Sequence, residues 1–264
     1  MKSTFDNVAP FIQTGKDANM FALRDAMNET GYLFFRGLLP AEDVLAVRHE
    51  VLQLCSEAGW LDPSRAIDEG IAAPGQEPLK EGMPEYMEVY RKVLKLPSFH
   101  DFPTHPLLMN IARQLIDGEV LVHPRRIGRI TFPHFESAAT PPHQDHFYIR
   151  GAVETYSCWI PLGDCPMELG GLAVEPGSHQ QGFLEHSVAS SGVGGKGVPV
   201  DENETQWHSS DFAAGDALFF HAYTIHKALP NKTNDRLRIS TDNRYQHEGD
   251  AIDPGALKPH FNLQ

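Results

Sequence analysis

Two histidines and an aspartate stand out for the chemistry their types allow: His143 and Asp145, separated by Gln144, and His226 much further along. Imidazole nitrogens and a carboxylate oxygen are the donors that hold a divalent first-row metal. Two histidines and one carboxylate on one face of the ion leave the opposite face open to small molecules, as in non-haem Fe(II) oxygenases. If residues 143–149 form an extended strand, His143 and Asp145 project to one side and Gln144 to the other. Beyond His226, the run Arg238-Ile239-Ser240 sets a guanidinium and a hydroxyl on one face of a later strand. A guanidinium fork grips a carboxylate through two parallel hydrogen bonds. A dicarboxylate such as 2-oxoglutarate can chelate Fe(II) through its keto-acid end and reach Arg238 with its far carboxylate, with Ser240 as a second donor. Arg236 shares that strand face and is the alternative anchor.

The elements that must position these residues change character along the chain. The first hundred residues read as helical. Asp17 is expected to cap a helix through Met20, Phe21, Leu23 and Met27 that ends at Gly31, and Tyr32-Leu33-Phe34-Phe35 is a short buried strand. Pro40 opens a second helix whose first turn carries Glu42 and Asp43, where the helix dipole favours negative charge. Its Val44, Val47, Val51 and Leu54 form one apolar stripe suited to lie against a sheet. Residues 60–83, rich in Pro, Gly and charge, form a long loop of the kind that serves as a lid. Helical patterns return over 86–96 and 106–116.

From Glu119 the texture is that of strands: 120–122, 127–132, 143–149, 156–162, 171–175, 216–221, 226–229 and 236–245, with a glycine-bearing loop at 180–205 that includes Gly192, Gly194, Gly195 and Gly197. Many short strands without an internal repeat point to a mostly β fold, a double-stranded β-helix or cupin-like jelly roll with N-terminal helices packed outside. The expected organisation is one domain over 1–264: helical support and lid over 1–118, β core over 119–246 and a C-terminal tail over 247–264.

Three runs carry a resemblance to a known family. They are His143-Gln144-Asp145, the turn Glu168-Leu169-Gly170-Gly171-Leu172 leading to Pro176-Gly177-Ser178-His179, and His226-Lys-Ala-Leu-Pro-Asn followed by Arg238-Ile-Ser. Together they resemble the phytanoyl-CoA dioxygenase family of Fe(II)- and 2-oxoglutarate-dependent oxygenases, over roughly residues 30–246, and Gly31-Tyr-Leu-Phe-Phe-Arg-Gly-Leu-Leu-Pro is similar to the family's entry into the fold. The resemblance implies that His143, Asp145 and His226 bind iron. It assigns the far carboxylate of 2-oxoglutarate to Arg238 with Ser240, or to Arg236, and leaves Trp159 either lining the cosubstrate or packing in the core. Thr140 is a further candidate donor to the cosubstrate. Related halogenases lack the carboxylate ligand, so Asp145 points to hydroxylation of an unactivated C–H, with O2 consumed and succinate and CO2 released. By position, Phe147, Tyr148, Arg129 and the 60–83 loop are the candidate substrate contacts. His146 and His221 are set aside as structural.

Bulk properties constrain the partners. The 264 residues hold 22 basic and 35 acidic side chains, a formal net charge of −13, which disfavours nucleic acid and anionic membrane surfaces. It leaves room for a small neutral or zwitterionic metabolite. Cys55, Cys158 and Cys165 show no paired spacing, and the first residues lack an apolar signal core, which together suggest a reducing, cytoplasmic setting; a monomer or homodimer is expected. Two other classes share the triad. A non-catalytic cupin-like binding or sensor protein has no reason to keep the triad and Arg238 together. A Zn-dependent hydrolase or isomerase has no use for Arg238.

Overall fold

A computed structural model describes residues 7–135, 139–189, 195–201 and 204–261. Its framework is a six-stranded sheet ordered β2 (Tyr32–Phe35), β10 (Ala217–His221), β5 (Thr155–Pro161), β12 (Arg238–His247) and β3 (Val120–Val122), with β4 (Ile127–Thr131) also paired to β12. Every pairing in this sheet is antiparallel. A smaller sheet runs β1 (Val8–Ala9), β9 (Trp207–His208), β6 (Leu172–Val174) and β11 (His226–Ala228). The two sheets face one another as a jelly roll and do not close into a barrel. β2 comes from the otherwise helical N-terminal part, so sheet and helical support interleave in sequence.

Strand alternation sorts the side chains into two apolar layers. Leu33, Phe35, Cys158, Ile160, Phe219, Leu237, Ile239 and Tyr245 point outward and meet the helices. Tyr32, Phe34, Trp159, Leu218 and Phe220 point inward and meet Phe11, Leu172, Val174 and Phe212 between the sheets. Because the large sheet is covered on both faces, β2 and β10 read as near-continuous apolar runs, while β12 carries polar side chains into the interior.

The helical layer is built from α1 (Met20–Thr30), α2 (Ala41–Glu57), α3 (Pro84–Val93), α4 (Pro97–Asp101) and α5 (Pro106–Leu115). On α2, Val44, Val47 and Val51 are buried. The α1 N-cap is Asn19 rather than Asp17: the Asn19 side chain accepts the Ala22 N–H at 3.0 Å, and the helix starts at Met20. Gly31 ends α1 in the left-handed region, with φ +78°.

Two expectations are corrected. Residues 143–149 are not a strand. His143 makes one bridge to His226, Asp145 has helical backbone angles, and α6 (His146–Ile149) follows at once. The 180–205 loop is not wholly irregular, since β7 (Val188–Ala189) pairs with β8 (Lys196–Gly197). Its Gly192 and Gly194 lie outside the described residues.

Gly215 turns the chain into β10 at φ +98°, where a Cβ would stand 2.3 Å from the Leu39 carbonyl oxygen. Both the backbone angle and the close approach require glycine. Gly215→Ala is expected to lower the unfolding free energy by more than about 1 kcal/mol, read as a drop in the urea midpoint without a change in slope.

Candidate metal centre

His143 and His226 meet through a backbone exchange. His143 N donates to His226 O and His226 N to His143 O, both at 3.0 Å. This antiparallel pair joins the segment before α6 to the start of β11 and sets the two rings with centroids 4.2 Å apart. Each ring is aimed by its other nitrogen: His143 Nδ1 lies 2.7 Å from Pro141 O, and His226 Nδ1 lies 3.0 Å from Thr224 O. A carbonyl only accepts, so both Nδ1 atoms carry the proton and both Nε2 atoms present lone pairs. Asp145 Oδ1 lies 3.8 Å from each Nε2. The helical turn at Asp145, not strand alternation, swings the carboxylate beside the rings. The donor atoms lie within 4.8 Å of one another and all three residues are buried. That donor set suits a divalent iron, with one side left to the cavity.

Gln144, fully buried, ties this arrangement to its surroundings. Its amide donates to Gly182 O and Tyr223 O, both at 2.8 Å, and its side-chain oxygen accepts Leu184 N at 2.8 Å.

The other oxygen of Asp145 faces the protein. Oδ2 accepts from Arg244 Nε at 3.2 Å, from Arg244 Nη2 at 2.9 Å and from the Ser157 hydroxyl. Ser157 and Arg244 are directly opposed across β5 and β12. Burial alone would raise the Asp145 carboxyl, but Arg244, then His226 and His143, and the Ser157 hydrogen bond outweigh it and hold the group well below the usual carboxylate range. Burial, reinforced by His226, pushes His143 down to about 3. Three of the donors' requirements, a neutral His143, an ionised Asp145 and aimed Nε2 lone pairs, are thus met by the fold itself.

One cavity contains the triad together with Arg238, Thr131, Thr140, Trp159, Arg129 and Arg244, and Leu79, Lys80 and Glu81 of the 60–83 loop close one side. Arg238 is 5% exposed and has no carboxylate partner among the described residues. Its Nη1 donates to Ser240 Oγ and its Nη2 to Thr131 Oγ1, both at 2.7 Å, while Nε finds no partner among the described residues. Ser240 therefore braces Arg238 from outside the cavity lining. Arg236 is exposed and pairs through its backbone with Ile71, so only Arg238 enters the cavity. Trp159 is both core and wall: it packs edge-on against Phe212 and lies 5.9 Å from the Arg238 guanidinium carbon.

Arg129 lines the cavity in contact with Glu81 and 3.7 Å from Asp242. Phe147 and Tyr148 do not line it. Phe147 stacks on His186, and Tyr148 packs edge-on against His143 while its hydroxyl donates to Lys196 O at 2.6 Å. His146 packs among Phe183 and Tyr223, and His221 Nδ1 accepts Tyr223 N. Neither joins the metal-ligating group. Arg244, Ser157 and Thr131 escape the sequence reading. The signal for Arg244 is its even spacing from Arg238 on one strand, which puts both on the cavity face; Ser157 and Thr131 carry none.

The fold and the buried two-histidine, one-carboxylate site, beside a guanidinium with no carboxylate partner among the described residues, define a mononuclear non-haem oxygenase. The family model for phytanoyl-CoA dioxygenase matches residues 27–240, and the chain belongs to this family of 2-oxoglutarate-dependent oxygenases. It is 29% identical to the 1-deoxypentalenic acid 11-beta-hydroxylase of Streptomyces exfoliatus, across 90% of this chain and 85% of that protein. It is 26% identical to the peroxisomal phytanoyl-CoA dioxygenase of Mus musculus, across 82% of this chain and 66% of that protein. Among solved structures, the epimerase SnoN in complex with Fe3+, alpha ketoglutarate and nogalamycin RO superposes with a TM-score of 0.63 at 21% identity, covering 89% of this chain and 86% of that one. The carbocyclase SnoK from nogalamycin biosynthesis gives 0.61 at 20% identity, covering 92% and 90%. Among the described residues, no helix is long and apolar enough to cross a membrane.

The His143 environment has a measurable consequence in the metal-free protein. Its folded pKa, about 3, lies below the unfolded value, so between those limits the unfolded chain binds the extra proton and stability falls as pH falls. Urea midpoints of the metal-free protein are expected to decline from about pH 6.5 downward, and less steeply in His143→Gln. Parallel declines in the two proteins would contradict the assignment.

Proposed function

We propose that this protein is an Fe(II)- and 2-oxoglutarate-dependent hydroxylase of a small molecule. The observation that carries the reading is Arg238, a buried guanidinium with no carboxylate partner among the described residues, held in the same cavity as the triad. A buried charge without a counter-ion is costly, and a fold keeps one where a ligand supplies the opposite charge. The hydroxylation reading draws on the name of the Streptomyces exfoliatus relative and on the presence of Asp145.

In this reading His143, Asp145 and His226 hold the iron. Arg238, braced by Ser240 and Thr131, receives the far carboxylate of 2-oxoglutarate, and Trp159 walls that end of the cavity. With iron, 2-oxoglutarate and O2 bound, the chemistry supplied is oxidative decarboxylation to succinate and CO2 coupled to hydroxylation of a substrate C–H. The side chains do little proton transfer. They position the reactants and keep water out, since most of the cavity's polar groups are buried or already paired. Arg129 and Thr140 remain candidate contacts for substrate and cosubstrate, and the 60–83 loop the candidate lid. Phe147 and Tyr148 are left as support for the metal segment.

Mixing the anaerobic protein with Fe(II) and 2-oxoglutarate is expected to give a weak visible charge-transfer band, followed by succinate when O2 is admitted. His226→Ala or Asp145→Ala should cut succinate formation by roughly 100-fold or more. Arg238→Gln should raise the Kd for 2-oxoglutarate by about 10- to 100-fold with metal affinity preserved. A wild-type protein that binds Fe(II) yet neither binds nor consumes 2-oxoglutarate would sink the oxygenase reading.

A further inference from the structure

Arg244 has one edge in use and one that is not. Nε and Nη2 donate to Asp145 Oδ2 at 3.2 and 2.9 Å, while Nη1 is buried and has no hydrogen-bond partner among the described residues. The side chain is 6% exposed and lines the metal cavity. A guanidinium is planar and its donors are fixed relative to one another, so anchoring the Nε–Nη2 edge on Asp145 also fixes the direction of Nη1. A desolvated N–H of a charged group is expensive to leave unmade. Arg244 also stands at an even offset from Arg238 along β12, so the strand presents two rigid guanidinium groups to one cavity, the first braced by hydroxyls and the second by the metal-facing carboxylate.

We propose, resting on the oxygenase reading, that Arg244 is a two-edged positioning residue. One edge turns Asp145 so that Oδ1 faces the metal. The other offers Nη1 to a carboxylate seated at the open side of the metal next to Asp145. Two sources share that chemistry: the keto-acid carboxylate of 2-oxoglutarate, or a carboxylate of the substrate itself.

The test compares the full-length wild-type protein with Arg244→Lys, Arg244→Met and Arg238→Met by anaerobic calorimetry. Co(II) is titrated first. The metal-saturated proteins are then titrated with 2-oxoglutarate, with pyruvate, which keeps the keto-acid end and lacks the far carboxylate, and, after 2-oxoglutarate loading, with decanoate. Arg244→Met is expected to weaken Co(II) binding about tenfold. If the cosubstrate is the source, it also weakens 2-oxoglutarate and pyruvate by the same factor, about tenfold, whereas Arg238→Met weakens 2-oxoglutarate and spares pyruvate. Arg244→Lys should recover Co(II) affinity without recovering keto-acid affinity, because one ammonium cannot serve both edges; should Arg244→Met not fold, this split alone decides the matter. If the substrate is the source, decanoate binding weakens in the Arg244 variants and both keto acids bind as in wild type. Keto-acid and decanoate affinities that do not depend on Arg244 overturn the inference. A wild-type protein that fails to bind 2-oxoglutarate strikes instead at the reading beneath it.

Discussion

The Asp145 carboxylate is the interaction on which the rest of the site depends. Its two oxygens have opposite duties, Oδ1 toward the imidazoles and Oδ2 toward Arg244 and Ser157. An ionised carboxylate this deeply buried is tolerable only with strong partners, and a guanidinium edge plus a hydroxyl supplies them. Those partners sit across from one another on β5 and β12, the two central strands, so the ligand's orientation is referred to the stiffest part of the sheet. Breaking that pairing would disturb the metal donor without touching it.

The same sheet also separates structure from chemistry. On β12, Ile239 and Tyr245, with Leu237 just before the strand, face the helices and contribute to the main core, while Arg238, Ser240 and Arg244 face the space between the sheets. One strand can do both because its side chains alternate, and because the helices leave the inner face free.

One wall of the cavity is held in place by segments far apart in the chain. Glu81 of the 60–83 loop contacts Arg129 on β4, and His260 of the C-terminal tail lies 4.0 Å away through Nε2. His260 Nδ1 in turn meets the Tyr90 hydroxyl at 2.8 Å. Burial, with Arg129, Arg125 and Arg244 nearby, pushes His260 down to about 2, so it stays neutral beside these cations. Loop, tail and helix are held by polar contacts around a cluster of positive charge.

Much of this was legible in the chain itself. Residue types picked out His143, Asp145 and His226, which the fold brings together as a group able to hold a metal, and apolar runs located most strands and the α2 stripe, because those signals follow from local periodicity and donor chemistry. The assumed strand over 143–149 was wrong in detail. His143 and Asp145 converge through a single bridge and a helical turn, a geometry imposed by the exchange with His226 far along the chain. Spacing alone does not separate Arg236 from Arg238; in the fold Arg236 is exposed and pairs through its backbone with Ile71, while Arg238 is buried and lines the cavity. Sequence determined which groups could bind a metal and a carboxylate. Tertiary structure decided which oxygen of Asp145 is free, which arginine is buried and which segments close the cavity, because each of those depends on contacts between residues that nothing local brings together.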